Sequence, residues 1–205
     1  MAWLAPPVPT IEFNLASTGM SKGIAQTKGP QFLARGELAF GPVFVGSYIK
    51  NVDSSTSDAE AAALVGVRTR AAGFDLVASA AWKRAVDPAQ GSDRNALEVS
   101  ASANRKMGRI TPRLSVVWSP DDLGGTRSTV FAEAGASYRF SRTLSASAAV
   151  GRRQRGGGSD YDAWNAGLSW DGLKPLSIDL RYYDTDAGNA QPFRARAVLS
   201  ARARF

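Results

Sequence analysis

The sequence contains no cysteine and no histidine. Without cysteine it can form neither a disulfide nor a thiolate metal site. Without histidine it cannot build a serine–histidine triad or a histidine–aspartate dyad, and it lacks the commonest general base. Paired carboxylates do occur, at Asp121-Asp122 and at Asp184 with Asp186, but two are too few to predict a cation site. We therefore expect no enzyme activity, no catalytic residue, no metal and no cofactor.

Long apolar runs are also missing. The longest, from Ala61 to Val67, has seven residues, whereas a membrane-spanning helix needs about 20. A helical membrane protein is therefore excluded. The mean hydropathy of -0.19 is that of many soluble proteins, but alternating strands of a membrane β-barrel give similar values because lumen-facing residues dilute the lipid-facing ones.

What the chain does contain is alternation, and the clearest case is its tail, from Pro192 to Phe205. Its odd-numbered residues are all apolar, while the even-numbered positions include four arginines, namely Arg194, Arg196, Arg202 and Arg204. Successive strand side chains point to opposite faces, so this period of two predicts a strand with one apolar face and one charged face. A soluble sheet could place the apolar face on a core, whereas the terminal strand of an outer-membrane β-barrel places it against lipid.

Eleven further segments have strand length and are bounded by glycine, proline or polar residues. They are 10–17, 31–40, 43–51, 59–71, 74–84, 95–106, 109–118, 128–140, 143–153, 161–170 and 176–183. The parity of 43–51 is ambiguous, and Pro112 is awkward within 109–118 because proline removes a ladder donor. With the tail, the sequence predicts an all-β protein of twelve strands.

The connections between these segments alternate in length. The short ones are tight turns at 40–42, 72–73, 107–108, 140–142 and 171–175, and the long polar ones are 18–30, 52–58, 85–94, 119–127, 154–160 and 184–191. In an up-and-down barrel, this order places every tight turn at one end and every loop at the other. Transmembrane barrels have this arrangement, with short periplasmic turns and longer outer loops. An even strand number then places both termini at the short-turn end.

Aromatic residues on the apolar parity cluster near strand ends, at Phe32, Phe40, Phe74, Trp82, Trp118, Tyr138, Phe140, Trp164, Trp170, Phe193 and Phe205. The step from Phe74 to Trp82 spans roughly 26 Å at about 3.3 Å per residue, which a tilt of about 45° reduces to roughly 19 Å of height. That height is close to the apolar band between two aromatic girdles. Such aromatics could instead cap a soluble β-sandwich, but alanine-rich faces such as 59–63 would fill a soluble core poorly.

The opposite parity carries the charges that a barrel would enclose. We predict that the pore is lined by Arg35, Glu37, Arg68, Arg70, Lys83, Glu98, Lys106, Arg113, Glu133, Arg139, Asp179, Arg181, Arg194, Arg196, Arg202 and Arg204, and the acidic residues Glu12, Glu60 and Asp75 share their parity. Twelve of these residues are basic and seven acidic, so the predicted interior is positive by five. Buried charges need partners, so cross-strand ion pairs could simply brace a narrow barrel. Alternatively, unmatched arginines could face water and favour anions, because a charged ring selects ions by sign.

Three stretches carry a resemblance to a known family. They are the segment from Gly41 to Asp53, the segment from Ser159 to Trp170, and Tyr183-Asp-Thr-Asp186 followed by the tail to Phe205. The chain from about Asn14 to Phe205 resembles the TorF-like (Gcw_chp) family of outer-membrane porins. The resemblance implies a barrel and a pore, and it supplies no catalytic residues.

We therefore predict a twelve-stranded antiparallel up-and-down barrel, formed by residues 10–205 after a periplasmic segment, 1–9, in the outer membrane of a Gram-negative bacterium. The first seven residues lack a secretory signal, so this prediction assumes that the start Met has replaced one.

The predicted function is passive diffusion of small anionic solutes. The alternatives are a closed structural or adhesive barrel and a soluble lipid-binding β-protein. Expected partners are outer-membrane lipid, lipopolysaccharide and, through Phe205, the barrel assembly machinery. The net charge of +7 does not predict nucleic-acid binding, because the arginines are spread at strand parity.

Overall fold

The computed structural model describes residues 6–54, 57–88, 90–123 and 126–205. The strands are β1 (Val8–Ala16), β2 (Met20–Ser21), β3 (Ile24–Ala25), β4 (Gln31–Phe40), β5 (Val43–Ser54), β6 (Ser57–Ala71), β7 (Phe74–Val86), β8 (Asn95–Asn104), β9 (Ile110–Asp122), β10 (Arg127–Arg139), β11 (Leu144–Arg155), β12 (Tyr161–Leu173), β13 (Leu176–Thr185) and β14 (Arg196–Arg204). Within these ranges, no helix is long and apolar enough to cross a membrane.

Twelve of these strands form one closed antiparallel barrel. From β4 to β14, each strand pairs with the next in sequence, and β1 closes the ring by pairing with both β4 and β14. The β1 strand begins and β14 ends at the short-turn end, since Val8 lies opposite Ala39 and Ala203 lies opposite Leu176. The predicted fold class and strand number are confirmed, and each of the twelve predicted segments overlaps one barrel strand.

The connections differ from the prediction at the long-loop end. Residues 52–58 were predicted as a loop, but β5 continues to Ser54 and β6 starts at Ser57, and these two residues pair with each other. Polar side chains do not prevent this, because pairing satisfies backbone groups whatever the side chains are. At the tail the reverse applies, since β14 begins only at Arg196 and residues 192–195 precede it.

The outer surface of the barrel is apolar. Leu114 on β9 exposes 63% of its surface and points outward, whereas Lys83 and Glu60 are buried inside. Outward-facing aromatics lie near both ends of the strands, at Phe32, Phe40, Phe74, Trp82, Trp118, Tyr138, Phe140, Trp164, Trp170 and Phe205. This is the reverse of a soluble protein, where large apolar side chains fill the interior.

Phe193 is the exception among the predicted girdle aromatics. It lies before β14 and turns inward, where its ring packs edge-on against Tyr161 at 5.4 Å between centroids. Tyr161, Phe131 and Ala163 form a small buried apolar cluster, against which Ile24, Val117 and Phe193 also pack. The prediction for Phe193 was wrong because it extended the strand alternation of β14 into a segment that is not a strand.

Candidate functional site

The first long connection does not stay outside the barrel. Within it, β2 and β3 form a two-stranded hairpin, residues 20–25, which we call the inner hairpin. The two residues at its tip, Lys22 and Gly23, have positive φ angles of 50° and 83°. Two-residue hairpin turns of the I′ type require positive φ at both central positions, and glycine adopts it without steric cost.

The tip of the inner hairpin crosses the lumen. Lys22 Nζ lies 2.7 Å from Asp122 Oδ2 on β9 and 2.8 Å from Glu98 Oε2 on β8. In the ring of twelve strands, β9 is half-way round from β1, where the connection starts. On a third strand, β12, the Tyr161 hydroxyl donates a 2.7 Å hydrogen bond to the Lys22 carbonyl oxygen. The hairpin is therefore held on the wall opposite its own origin.

Lys22 belongs to a group of seven charged side chains, which we call the central charge cluster. Its members are Lys22, Lys50, Glu60, Lys83, Glu98, Asp122 and Arg153. Lys83 Nζ lies 3.3 Å from Glu98, 3.5 Å from Asp122 and 3.7 Å from Glu60. Four cations against three carboxylates leave the cluster positive by one. Ions so far from bulk water persist because each has several partners.

The base of the inner hairpin is fixed by backbone and side-chain hydrogen bonds. The amide of Gln26 donates to the Gly19 carbonyl at 2.7 Å, and the amide of Gly19 donates to Thr27 Oγ1 at 2.8 Å. Gln26 also accepts a 2.7 Å hydrogen bond from Lys50 Nζ on β5. The amide of Ala25 donates to the Pro192 carbonyl at 3.1 Å, which connects the hairpin to the segment before β14.

The inner hairpin lies between two chambers of the lumen. One chamber, of about 740 Å³, extends toward the short turns, and the other, of about 540 Å³, extends toward the long loops. Ser21 and Lys22 line both of them. Both chambers therefore border the inner hairpin at Ser21 and Lys22, at the level of the central charge cluster.

The walls of the short-turn chamber are unequal. On the β5–β6 side, the Phe44 ring is buried and Arg68 stacks on it at 3.9 Å. On the β10–β14 side, the wall consists largely of small side chains, including Gly135, Ser137, Ser145, Ser147, Ser169, Ser177 and Ser200. Bulky side chains fill the lumen on one side, and the open space follows the other.

Arginine–carboxylate pairs line this chamber. Arg113 pairs with Glu133 across β9 and β10. Arg181 Nη2 donates to Asp179 Oδ2 at 3.0 Å and to Ser147 Oγ at 2.8 Å. The Arg202 guanidinium lies 3.7 Å from Glu12, its contact across the closing pair of strands.

The sixteen residues predicted to line a pore fall into three groups. Inside the barrel, in ion pairs with other interior residues, are Arg35, Glu37, Arg68, Lys83, Glu98, Arg113, Glu133, Asp179, Arg181 and Arg202. At strand ends lie Arg70, Arg139, Arg196 and Arg204. Lys106 lies in the turn after β8, and Arg194 lies in the turn before β14, so neither occupies the strand position assigned to it.

The prediction missed four members of the central charge cluster, namely Lys22, Lys50, Asp122 and Arg153. Lys50 was missed because the parity of β5 is ambiguous in the sequence. Asp122 was assigned to a loop, where Asp121-Asp122 was considered as a cation site. In the structure Asp121 is exposed, whereas Asp122 is buried and forms ion pairs with three cationic side chains.

Two comparisons with known proteins find no match. No protein-family model matches the chain, and no curated protein does. The resemblance to the TorF-like family is therefore not confirmed by either comparison.

Solved structures with the same fold do exist. The KdgM porin superposes with a TM-score of 0.66 over 96% of this chain and 99% of its own, at 10% identity. It has also been solved in complex with disordered oligogalacturonate. The NanC porin gives a TM-score of 0.60 over 96% and 98% of the two chains, at 4% identity. An outer membrane channel from Pseudomonas putida F1 gives 0.54 over 97% and 94%, at 11% identity. This chain is similar to these porins and channels in fold.

Proposed function

We propose that this protein is a narrow channel in the outer membrane of a Gram-negative bacterium and that it passes small anionic solutes by passive diffusion. In this proposal the apolar outer face contacts lipid. The short-turn end, both termini and the segment 1–9 face the periplasm, and Val8 and Pro9 of that segment already belong to β1. The long loops, including the origin of the inner hairpin, face outward from the cell.

The observation that carries the proposal is the exposure of arginine side chains along the open part of the lumen, where their partners Glu133 and Glu12 expose only 15% and 23% of their own side chains. Arg113 and Arg202 expose 55% and 56% of their side chains although they face the interior. Glu37 is shared by two arginines, Arg35 and Arg68, at 3.2 Å and 2.7 Å. Guanidinium groups that are only partly paired keep donors free for a passing anion, because each carries five N–H groups.

The net charge of the residues that line the short-turn chamber is also positive. Its charged members are Lys22, Arg113, Arg181 and Arg202 against Glu133, Asp171 and Asp179, which is four positive charges against three negative. Small hydroxyl side chains alongside them offer hydrogen bonds to a hydrated solute. KdgM, a porin of the same fold, has been solved with oligogalacturonate, which is a polyanion.

Single-channel recording in planar bilayers tests the proposal. In a KCl gradient, we expect a reversal potential that shows chloride to be more permeant than potassium, because a net positive lining favours anions. Arg113→Ser combined with Arg202→Ser should move the reversal potential toward potassium. The control is Arg84→Ser with Arg152→Ser, which removes two arginines from outward-facing positions. Potassium preference in the unmodified protein would contradict the charge argument, and silence would contradict the channel.

A closed structural or adhesive barrel is the second candidate, and the inner hairpin is the observation that favours it. The hairpin spans the lumen between the two chambers, and the central charge cluster holds it there through Lys22. Absence of conductance in the intact protein, with conductance appearing once the hairpin is removed, would favour this candidate.

The proposed partners follow from the surface. Lipid and lipopolysaccharide would contact the apolar face. Phe205 is largely exposed beyond the end of β14, and its amide and carbonyl exchange hydrogen bonds of 2.9 Å and 3.0 Å with Ile11. The terminal aromatic ring is therefore available to the barrel assembly machinery.

A further inference from the structure

The rim at the short-turn end carries a group of basic side chains that the channel proposal does not use. Its members, which we call the basic rim patch, are Arg105, Lys106, Arg109, Arg139 and Arg142, and all five are exposed. Four of them lie in the β8–β9 and β10–β11 turns, and Arg139 ends β10.

These side chains are neighbours because the two turns belong to adjacent hairpins. The Arg139 amide donates a 2.9 Å hydrogen bond to the Arg109 carbonyl, and Tyr138 lies opposite Ile110 in the β9–β10 pair. On the other flank, Arg105 extends over the Phe74 ring of β7, with its guanidinium carbon 5.3 Å from the ring centroid. The patch therefore spans four consecutive strands, from β7 to β10.

Exposed apolar side chains are interleaved with these cations. Met107 in the turn exposes 58% of its surface, and Phe140 exposes 52%. Phe140 packs edge-on against Tyr138, and Ile110 is also exposed. Water or a soluble acidic protein would match only the charged side chains of this surface. A bilayer interface matches both kinds, because it presents acyl chains as well as headgroups.

The patch is short of compensating negative charge. Within residues 6–54, 57–88, 90–123 and 126–205, none of its five members takes part in an ion pair. Of the nearby acids, Asp75 is already held by Arg70 at 2.7 Å, and Asp171, whose amide donates to the Thr143 carbonyl, lines the lumen. The long-loop rim differs, since Asp53, Asp160 and Asp162 there pair with Lys28 or Arg152.

We propose that the basic rim patch binds the phosphate headgroup of an anionic phospholipid in the leaflet at the short-turn end. Arg109 and Arg142 contact the phosphate, Arg105 extends along the outer wall beside Phe74, and Met107 and Phe140 contact the acyl chains. The inference rests on the membrane placement within the proposed function, and it is independent of whether the pore conducts. Juxtamembrane basic residues attract anionic lipid by charge, and exposed aromatics anchor at the same depth.

Native mass spectrometry of the barrel in detergent micelles tests this, with phosphatidylglycerol and phosphatidylcholine of identical acyl chains as probes. The variant combines Arg105→Gln, Arg109→Gln and Arg142→Gln, which leaves Lys106 and Arg139 in place. The matched control combines Arg84→Gln, Arg94→Gln and Arg127→Gln at the long-loop end. Heat-dependent mobility in SDS gels shows which variants remain folded barrels.

We expect the unmodified protein to retain phosphatidylglycerol about tenfold better than phosphatidylcholine. The rim variant should lose that preference while the long-loop control keeps it. Equal retention of the two lipids, an equal loss in the control, or full competition by soluble glycerol phosphate would each overturn the proposal. Because no step measures conductance, a silent channel leaves this result unaffected.

Discussion

Asp122 is the carboxylate on which the inner hairpin and the barrel wall converge. It lies 2.7 Å from Lys22, 3.1 Å from Arg153 and 3.5 Å from Lys83, with 7% of its side chain exposed. We expect Asp122→Asn to destabilise the barrel by about 3–5 kcal/mol, because it leaves buried cations without their shared partner. Urea titration of the refolded protein in detergent micelles, followed by tryptophan fluorescence, measures this loss.

The adjacent residue supplies the control for that experiment. Asp121 has the same chemistry and is exposed, so Asp121→Asn should change the free energy of unfolding by no more than about 0.5 kcal/mol. Equal effects of the two substitutions would show that the central charge cluster does not stabilise the fold.

Gly23 at the hairpin tip allows a second test at the residue scale. Its φ of +83° disfavours other residues, and a Cβ added there would collide with the methyl group of Ala163 on β12. Gly91, in the β7–β8 loop, has the same φ of +83° with open space around it. Gly91→Ala should therefore cost about 1 kcal/mol from backbone strain alone, and Gly23→Ala should cost about 1–3 kcal/mol more from the collision.

Hydrogen exchange locates the effect of these two substitutions. In Gly23→Ala, the amides of Gly19 and Gln26 should exchange faster, because the tip is displaced from the wall and the hairpin base loosens. In Gly91→Ala these amides should be unchanged. Unchanged exchange in both variants would mean that the contact at Ala163 does not hold the hairpin.

Among the elements, the inner hairpin decides how much of the lumen is free. Replacing residues 20–25 with a glycine–serine linker should merge the two chambers and raise single-channel conductance by about twofold or more. The control replaces residues 87–94 of the β7–β8 loop with the same kind of linker, because none of the described residues of that loop lines either chamber. A hairpin variant that conducts like the unmodified protein would show that the inner hairpin is not the constriction.

The strands were predictable from the sequence, and the inner hairpin was not. Alternation along 31–40 reproduces the observed bounds of β4, because each strand meets lipid-like and polar surroundings on opposite faces. Residues 18–30 are polar and carry no such alternation, so they were interpreted as an outer loop. Their path is set by tertiary contacts. Lys22 lies inside the barrel because Asp122 and Glu98 pair with its ammonium group and Tyr161 bonds its carbonyl oxygen.

Asp122 shows why strand parity alone could not predict every side chain that faces the interior. Along β9, the even-numbered residues Leu114, Val116 and Trp118 point outward, so simple alternation would also turn Asp122 out. The β9–β10 register shifts between the Asp122 and Ser119 pairs, where β9 contains one residue more than β10. A bulge of this kind re-aims the following side chains. Its signal in the sequence is Pro120, because proline within a sheet is confined to edge strands, strand starts and bulges.

For the molecule as a whole, the distribution of apolar surface distinguishes a membrane barrel from a soluble β-protein. Leu114, Val150 and Leu199 are among its most exposed residues, while the charged groups Lys83 and Arg153 are among its most buried. In water such a surface would aggregate, because monomeric soluble proteins rarely expose large contiguous apolar patches. We therefore expect the protein to refold into detergent micelles or bilayers and to precipitate when the detergent is removed.

Tryptophan depth tests the same arrangement without any assumption about transport. Trp82, Trp118 and Trp164 face outward toward the long-loop end, and Trp170 faces outward near the short turns. In bilayers containing brominated lipid, we expect strong quenching that is greater for bromine at carbons 6 and 7 than at carbons 11 and 12, because girdle aromatics lie near the interfaces. Trp3 lies outside the described residues, so the measurement uses Trp3→Phe as its background. Emission insensitive to the bromine, as a soluble β-sandwich would give, contradicts the lipid-facing assignment of the outer wall.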